Sequence, residues 1–279
     1  MWPLNKNVCL QSLASRWGSE SPFDHIVIDD FLDPEVAHAL EAEYPAWDDK
    51  LWWQYDNQIE QKKALNHWDR FPAVTYKVMC TFNSPAFLAE LEAMTGMSGL
   101  RIDPGLNGGG WHGHAAGGKL NVHLDYSMHP KLELERRLNL IVYITSGWNP
   151  SWGGQLGLWE GNSEQPTGLG RRIDCLFNRA VLFDTTQDSW HGLPEPITCP
   201  PGVIRKSLAT YYLTEPRLSA SRRGKALFAP YGRQVDDPSV LELIRKRCRV
   251  DQASGVYVNP IAGSLGGGGV AAEWPKVRT

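Results

Sequence analysis

The sequence predicts a mainly β fold with flanking helices, built as a sandwich or barrel, and three observations carry that reading. Between about residues 99 and 216, the short β-rich runs KLNVHLDYSM, RRLNLIVYIT, GGQLGLWE, RAVLFDTT and RKSLATYYLT are separated by Gly, Pro and Asn clusters. That is the punctuation of antiparallel strands and turns. Helical periodicity is confined to the segments on either side, and the 279 residues contain no internal repeat, so one core with extensions accommodates the chain.

Taken in chain order, HIVIDDF (25–31) reads as a strand. DPEVAHALEAEYP reads as a helix, because Asp33 can cap it, Pro34 suits the first helical position and Pro45 stops it. SPAFLAELEAMTG is a second helix, capped by Ser84, begun by Pro85 and ended by Gly96. Between them, WWQYDNQIEQKKALNHWD is dense in aromatic and amide groups. It reads either as a lid over a polar organic molecule, with Trp52 or Trp53 closing on it, or as a hydrophobic shelf with solvated charges. Its QKKALNHWDRFP portion is partly helical in pattern. Past residue 216 the chain turns polar, then forms one more helix at DPSVLELIRKRC and ends in a Gly-rich tail expected to be mobile. The expected organisation is one domain overall: 1–98 as a helical and strand region packing on the core, 99–216 as the β core, and 217–279 as a C-terminal extension.

The charge balance of 28 Lys+Arg against 31 Asp+Glu includes no basic block, so nucleic acid is not the expected partner and a small solute or a protein is. The N-terminal residues lack a secretory pattern, and no apolar run approaches the ~20 residues of a membrane span. The five cysteines are scattered without CxxC spacing and read as reduced thiols. A cytoplasmic protein with no membrane partner and no thiolate zinc site is expected.

The chain contains two HxD pairs, His67-Trp68-Asp69 and His123-Leu124-Asp125. The first lies in a polar stretch without alternation and reads as a surface or hydrogen-bonded pair. In the second, Leu120, Val122 and Leu124 alternate with Asn121, His123 and Asp125, which puts the imidazole and the carboxylate on one strand face. His191 in DSWHGLPEPI can supply a third ligand. Two histidines and one carboxylate with open positions form the facial triad of non-haem Fe(II) oxygenases. Arg205 follows, with Ser207 on the same face, and a guanidinium with a nearby hydroxyl suits a carboxylate.

His123-x-Asp125, His191 and Arg205-x-Ser207 together resemble the Fe(II)/2-oxoglutarate-dependent oxygenase superfamily, and PFDHIVIDDFL, GGGWHGHAAGGKLNVHLDYSMHP and FNRAVLFDTT resemble its prolyl 4-hydroxylase-like branch. The resemblance implies a double-stranded β-helix, or jelly roll, over 99–216. It also implies Fe(II) on His123, Asp125 and His191, with 2-oxoglutarate and O2 as cosubstrates and ascorbate as a candidate reductant. Arg205 would hold the far carboxylate of 2-oxoglutarate beside Ser207. Tyr143, at the place of the branch's cosubstrate tyrosine, would join it unless it is a core tyrosine. Halogenases of this superfamily resemble the same pattern with Gly or Ala in place of Asp. Retention of Asp125 therefore implies hydroxylation, with succinate and CO2 as co-products.

The branch acts on peptidyl proline, free amino acids and other small molecules. The expectation for this chain is a small polar metabolite or glycan unit, the alternative a proline-containing protein. Trp111, His112, His114, Tyr126 and His129 are candidates for substrate contact. A non-redox jelly-roll binding protein and a cupin-like metal isomerase or lyase are the rivals, and neither needs the arginine clamp.

Overall fold

The computed structural model describes residues 2–256, and most of the Gly-rich tail lies outside the described residues. The strands are β1 (His25–Ile28), β2 (Trp53–Asp56), β3 (Glu60–Leu65), β4 (Arg101–Ile102), β5 (Gly110–His114), β6 (Lys119–Leu120), β7 (His123–Leu124), β8 (Glu135–Tyr143), β9 (Leu156–Gly161), β10 (Pro166–Ile173), β11 (Arg179–Asp184), β12 (Trp190–Gly192), β13 (Arg205–Thr214) and β14 (Leu227–Phe228). The helices are α1 (Pro34–Ala42), α2 (Ala73–Phe82), α3 (Pro85–Thr95) and α4 (Pro238–Arg247).

Two antiparallel sheets face each other as a jelly roll. The larger runs β1-β11-β8-β13-β5-β3-β2, with β4 on β13 and β6 on β3, and the smaller runs β10-β9-β12-β7-β14. Period-two alternation assigns each side chain of the central strands to one of two environments. Leu138, Leu140 and Val142 of β8, Leu182 of β11 and Leu208 and Tyr212 of β13 form one buried cluster with Leu40 of α1, Phe82 of α2 and Phe87, Leu91 and Met94 of α3. The i, i+4, i+7 spacing of Phe87, Leu91 and Met94 is the buried stripe of an amphipathic helix. Each such side chain contributes about 1.5–3 kcal/mol when removed from water. The opposite faces of β8 and β11, with Tyr143, Val181 and Phe183, meet Leu156, Leu158, Ile173 and Leu193 between the sheets.

The caps expected for two helices are present, and the third expected helix is capped as well. Asp33, Ser84 and Asp237 accept hydrogen bonds from the backbone N–H groups of Glu35, Phe87 and Ser239, and Gly96 ends α3 with φ +70°. Other expectations need correction. The QKKALNHWD stretch is not helical: it forms β3 and a short 3-10 turn at Trp68–Arg70, because β3 finds partners in β2 and β5. Helix α2 follows a proline and lacks a side-chain cap, so it carries no strong start signal. The polar stretch after 216 contributes β14, which pairs with β7.

Candidate active site

The long runs of β8 and β13 turn their second faces to a cavity of about 270 Å³. Asn139, Ile141 and Tyr143 come from β8, and Arg205, Ser207, Ala209 and Tyr211 from β13. The small sheet supplies His123, Asp125 and His191. Strand β7 lies between β12 and β14, with His123 directly opposite both His191 and Phe228. Cross-strand register therefore brings together histidines that are far apart in sequence.

His123 and His191 each place Nδ1 against a backbone carbonyl, Asn121 O at 2.9 Å and Ser189 O at 2.8 Å. Those acceptors fix the proton on Nδ1 and leave Nε2 as the free base. Each Nε2 lies 3.8 Å from an oxygen of Asp125. The three residues offer one ligand atom apiece within 4.8 Å of one another. Burial, reinforced by the neighbouring His191, holds the His123 imidazole well below its usual pKa, in the neutral form that ligates metals. Burial raises the Asp125 carboxyl, but His191, Arg136 and His123 outweigh it and keep it below its usual value. Two imidazoles that turn Nε2 toward an ionised carboxylate fit a divalent first-row metal.

The alternation read from KLNVHLD holds only across 123–125. Leu120 lines the cavity, whereas Asn121 bonds Ala229 O and the Gln234 side chain. The chain leaves the large sheet after β6 and joins the small one at β7, and that change of sheet breaks the alternation.

Arg205, 5% exposed, donates from Nε to Gly154 O at 2.6 Å and sits 4.8 Å from the Tyr143 ring. Among the described residues it has no carboxylate partner. Ser207 lies across from Tyr143 in register. The Tyr143 hydroxyl is buried without a hydrogen-bond partner, and burial pushes its pKa up to about 12. A buried guanidinium without a carboxylate partner, beside the Tyr143 and Ser207 hydroxyls on one wall, fits a carboxylate ligand. The neighbouring cations do not serve: Arg179 bonds Asp29 at 2.5 Å and Lys206 pairs with Glu41 at 3.3 Å.

Gly154 has φ +77°, and a β-carbon on it would meet Arg205 Cδ at 2.9 Å. Gly154→Ala is expected to cost about 1–3 kcal/mol of stability and to raise the KM for 2-oxoglutarate by displacing Arg205. Thermal melts and cosubstrate titration check both effects.

Among the substrate candidates, His112, His114 and Tyr126 line the cavity. Burial, with the Lys62 charge nearby, holds the His112 pKa down to about 3, so it is neutral. Tyr126 donates to Asn107 O at 3.0 Å. Trp111 requires correction: it is fully buried and packs edge-on to Tyr44 in the core under the helices. Alternation on β5 explains this, since 112 and 114 face the cavity and 111 must face away. Trp52 is likewise core, bonded to Ala46 O, while Trp53 lines the cavity. His129 is not in the cavity wall. Its Nδ1 accepts from the Lys131 and Leu132 N–H groups, which puts the proton on Nε2, 3.3 Å from Asp103. His67 and Asp69 lie outside the cavity, Asp69 beside Arg70.

Sequence reasoning missed Arg136. Its guanidinium is stacked 3.4 Å from both the Tyr126 and Tyr211 rings, lies 3.5 Å from Asp125 and donates to Asn107 O at 2.7 Å. It fixes Asp125 from behind. Asp103 is a further missed group, accepting from Gly105 N at 3.0 Å and Asn107 N at 2.8 Å. It thereby anchors the loop whose Asn107 carbonyl receives Tyr126 and Arg136. Burial raises the Asp103 carboxyl, but His129, Arg136 and the Asn107 N–H more than offset this and leave it below the usual range.

Its folded pKa is thus below its unfolded value. The stability it supplies is complete above the unfolded carboxyl value of about 3.9 and is lost as pH falls through the lower folded value. Asp103→Ala is expected to cost about 1.5–3 kcal/mol near neutral pH, the loss of hydrogen bonds to a charged group. In a melt series taken into acid, the difference from wild type should shrink.

Comparison with known proteins follows the same geometry. Residues 110–213, from β5 to β13, match the sequence model of the 2OG-Fe(II) oxygenase superfamily. No curated protein matches the chain by sequence. Among solved structures, a Pseudomonas putida prolyl-4-hydroxylase aligns at TM-score 0.50 and 16% identity, over 75% of this chain and 100% of that one. A Trichoplax adhaerens prolyl hydroxylase in complex with a hypoxia inducible factor peptide fragment aligns at 0.51 and 16%, over 73% and 90%. A Phytophthora capsici prolyl 4-hydroxylase aligns at 0.51 and 18%, over 85% and 72%. These likenesses establish a shared fold. Among the described residues no helix is long and apolar enough to cross a membrane. The matched segment, residues 110–213, lies on the strands that build the cavity, and with the His123, Asp125 and His191 cluster it makes the chain a 2-oxoglutarate-dependent oxygenase with Fe(II), 2-oxoglutarate and O2 as its cofactors.

Proposed function

We propose that the chain hydroxylates an unactivated C–H bond of a small polar metabolite or glycan unit. In this reading His123, Asp125 and His191 hold Fe(II), Arg205 with Tyr143 and Ser207 holds 2-oxoglutarate, and His112 and Tyr126 face the substrate. The supporting observation is the cavity itself. It joins the histidine–carboxylate cluster to Arg205 and is walled on the far side by Trp53, Tyr55 and Lys62 of the β2–β3 hairpin. At about 270 Å³ it is near the lower end of small-molecule clefts, about 300–1,000 Å³. An extended peptide needs an open groove past the metal, so the wall favours the small substrate.

When bound, the iron supplies, with 2-oxoglutarate and O2, an oxidant able to functionalise such a C–H bond, with succinate and CO2 released. The residues do the rest. The Asn121 and Ser189 carbonyls keep both imidazoles in the ligating tautomer. Arg136 keeps Asp125 ionised and oriented, and the aromatic walls exclude water that would compete for the site.

Succinate release from 2-oxoglutarate, with iron and O2, would be screened against peptide, amino-acid and carbohydrate pools while tryptophan fluorescence follows binding to the anaerobic protein. A small polar compound should stimulate turnover. Strong coupling to a proline-containing protein, with no response to small molecules, would overturn the substrate class in favour of a protein prolyl hydroxylase.

A further inference from the structure

Five cationic side chains, Lys62, Arg136, Arg205, Lys225 and Arg247, line the cavity against two carboxylates, Glu60 and Asp125. That is a formal excess of three positive charges. Fe(II) and the 2-oxoglutarate dianion cancel each other, so filling the cofactor sites leaves the excess in place. Three of the cations have evident counterparts: Arg136 has Asp125 at 3.5 Å, Arg247 bonds Glu60 at 2.7 Å, and Arg205 is assigned above to the cosubstrate.

Lys62 and Lys225 remain. Lys62, on β3 with its side chain 14% exposed, lies over the Tyr55 ring at 5.0 Å and has as its one carboxylate partner among the described residues Glu60, at 3.8 Å and already held by Arg247. Lys225, in the segment leading into β14, has no carboxylate partner among the described residues. The Arg247 charge is felt at both lysines, and all three cations line the same cavity. The charge of Lys62 is also felt at His112, His123 and Asp125, which puts this group within reach of the metal cluster. Like charges collected in a partly desolvated wall are costly unless an anion neutralises them.

We propose that the substrate is a small anion whose carboxylate, phosphate or sulfate group is held by Lys62 and Lys225, with the carbon to be oxidised directed at His123, Asp125 and His191. This rests on the oxygenase reading above and narrows its substrate class. The neutral rim of Trp53, Tyr55 and Asn66 would take the polar remainder of the molecule.

Calorimetric titration of the Fe(II)- and 2-oxoglutarate-loaded protein without oxygen tests it, with sulfate standing in for phosphate and sulfate esters and acetate for carboxylates. At least one anion should bind, and the tighter of the two identifies the group. The Lys62→Gln/Lys225→Gln variant should weaken that binding at least tenfold, and Lys62→Arg/Lys225→Arg should restore it, which a fold defect would not allow. If neither anion binds the wild type, or if the glutamine variant binds unchanged, the proposal is overturned. A neutral substrate turned over with a KM indifferent to the glutamine variant also overturns it. Failure of 2-oxoglutarate itself to bind would instead remove the oxygenase reading, while lysine-dependent anion binding would survive that result.

Discussion

His191→Ala is expected to reduce iron-dependent succinate release to the level seen without enzyme and to strip the metal from the purified protein. The argument is geometric. His191 supplies one of three ligand atoms, opposite His123 in register and 3.8 Å from Asp125, and two ligands do not hold a metal firmly. Changing a partner that merely orients a ligand costs about 10–100-fold in affinity or activity, so removing the ligand itself should exceed that range. His67→Ala and Asp69→Ala provide the contrast. They carry the same HxD spacing on the Trp68–Arg70 turn, outside the cavity, and should leave metal content intact. Metal analysis of the three variants decides the matter; loss of iron from the His67 or Asp69 variant with retention in the His191 variant would show the wrong site had been chosen.

The second large effect belongs to Arg205→Ala, which should raise the KM for 2-oxoglutarate roughly 10- to 150-fold. Loss of a charged hydrogen-bond partner costs about 1.5–3 kcal/mol, and about 1.4 kcal/mol is a factor of ten. Iron affinity should change far less, because Arg205 approaches the cavity from the large sheet and the ligands come from the small one. Steady-state kinetics over a range of 2-oxoglutarate, with iron binding measured in parallel, separates the two. An unchanged KM would mean that the clamp lies elsewhere.

Much of this protein was legible from its residues because the signals were local. Helix caps at Asp33, Ser84 and Asp237 act within one turn, and alternation along LNLIVY and RKSLATYY needs only the period of a strand. The same alternation put Asn139, Ile141 and Tyr143 on one face of their strand and Arg205 and Ser207 on one face of theirs, before the pairing of the two strands was known. It went wrong where a strand's environment was set from elsewhere. Strand β3 carries the polar run EQKKAL and is a strand because β2 and β5 flank it. The tryptophan in GGGWHGH is core because the odd face of β5 meets Tyr44.

The sequence by itself determined the fold class, three of the four described α-helices, the HxD and arginine motifs and the superfamily they resemble. All of these are properties of near neighbours along the chain. Tertiary structure alone decided that β14 and α4 return to the cavity, that Arg136 lies between two tyrosines behind Asp125, and that Lys62, Lys225 and Arg247 line one cavity. The physical reason is that charge compensation depends on distance in space. A lysine at 62 and an arginine at 247 have no local pattern that announces their meeting, and only the packing of α4 onto Ile59 and Phe228 brings them together.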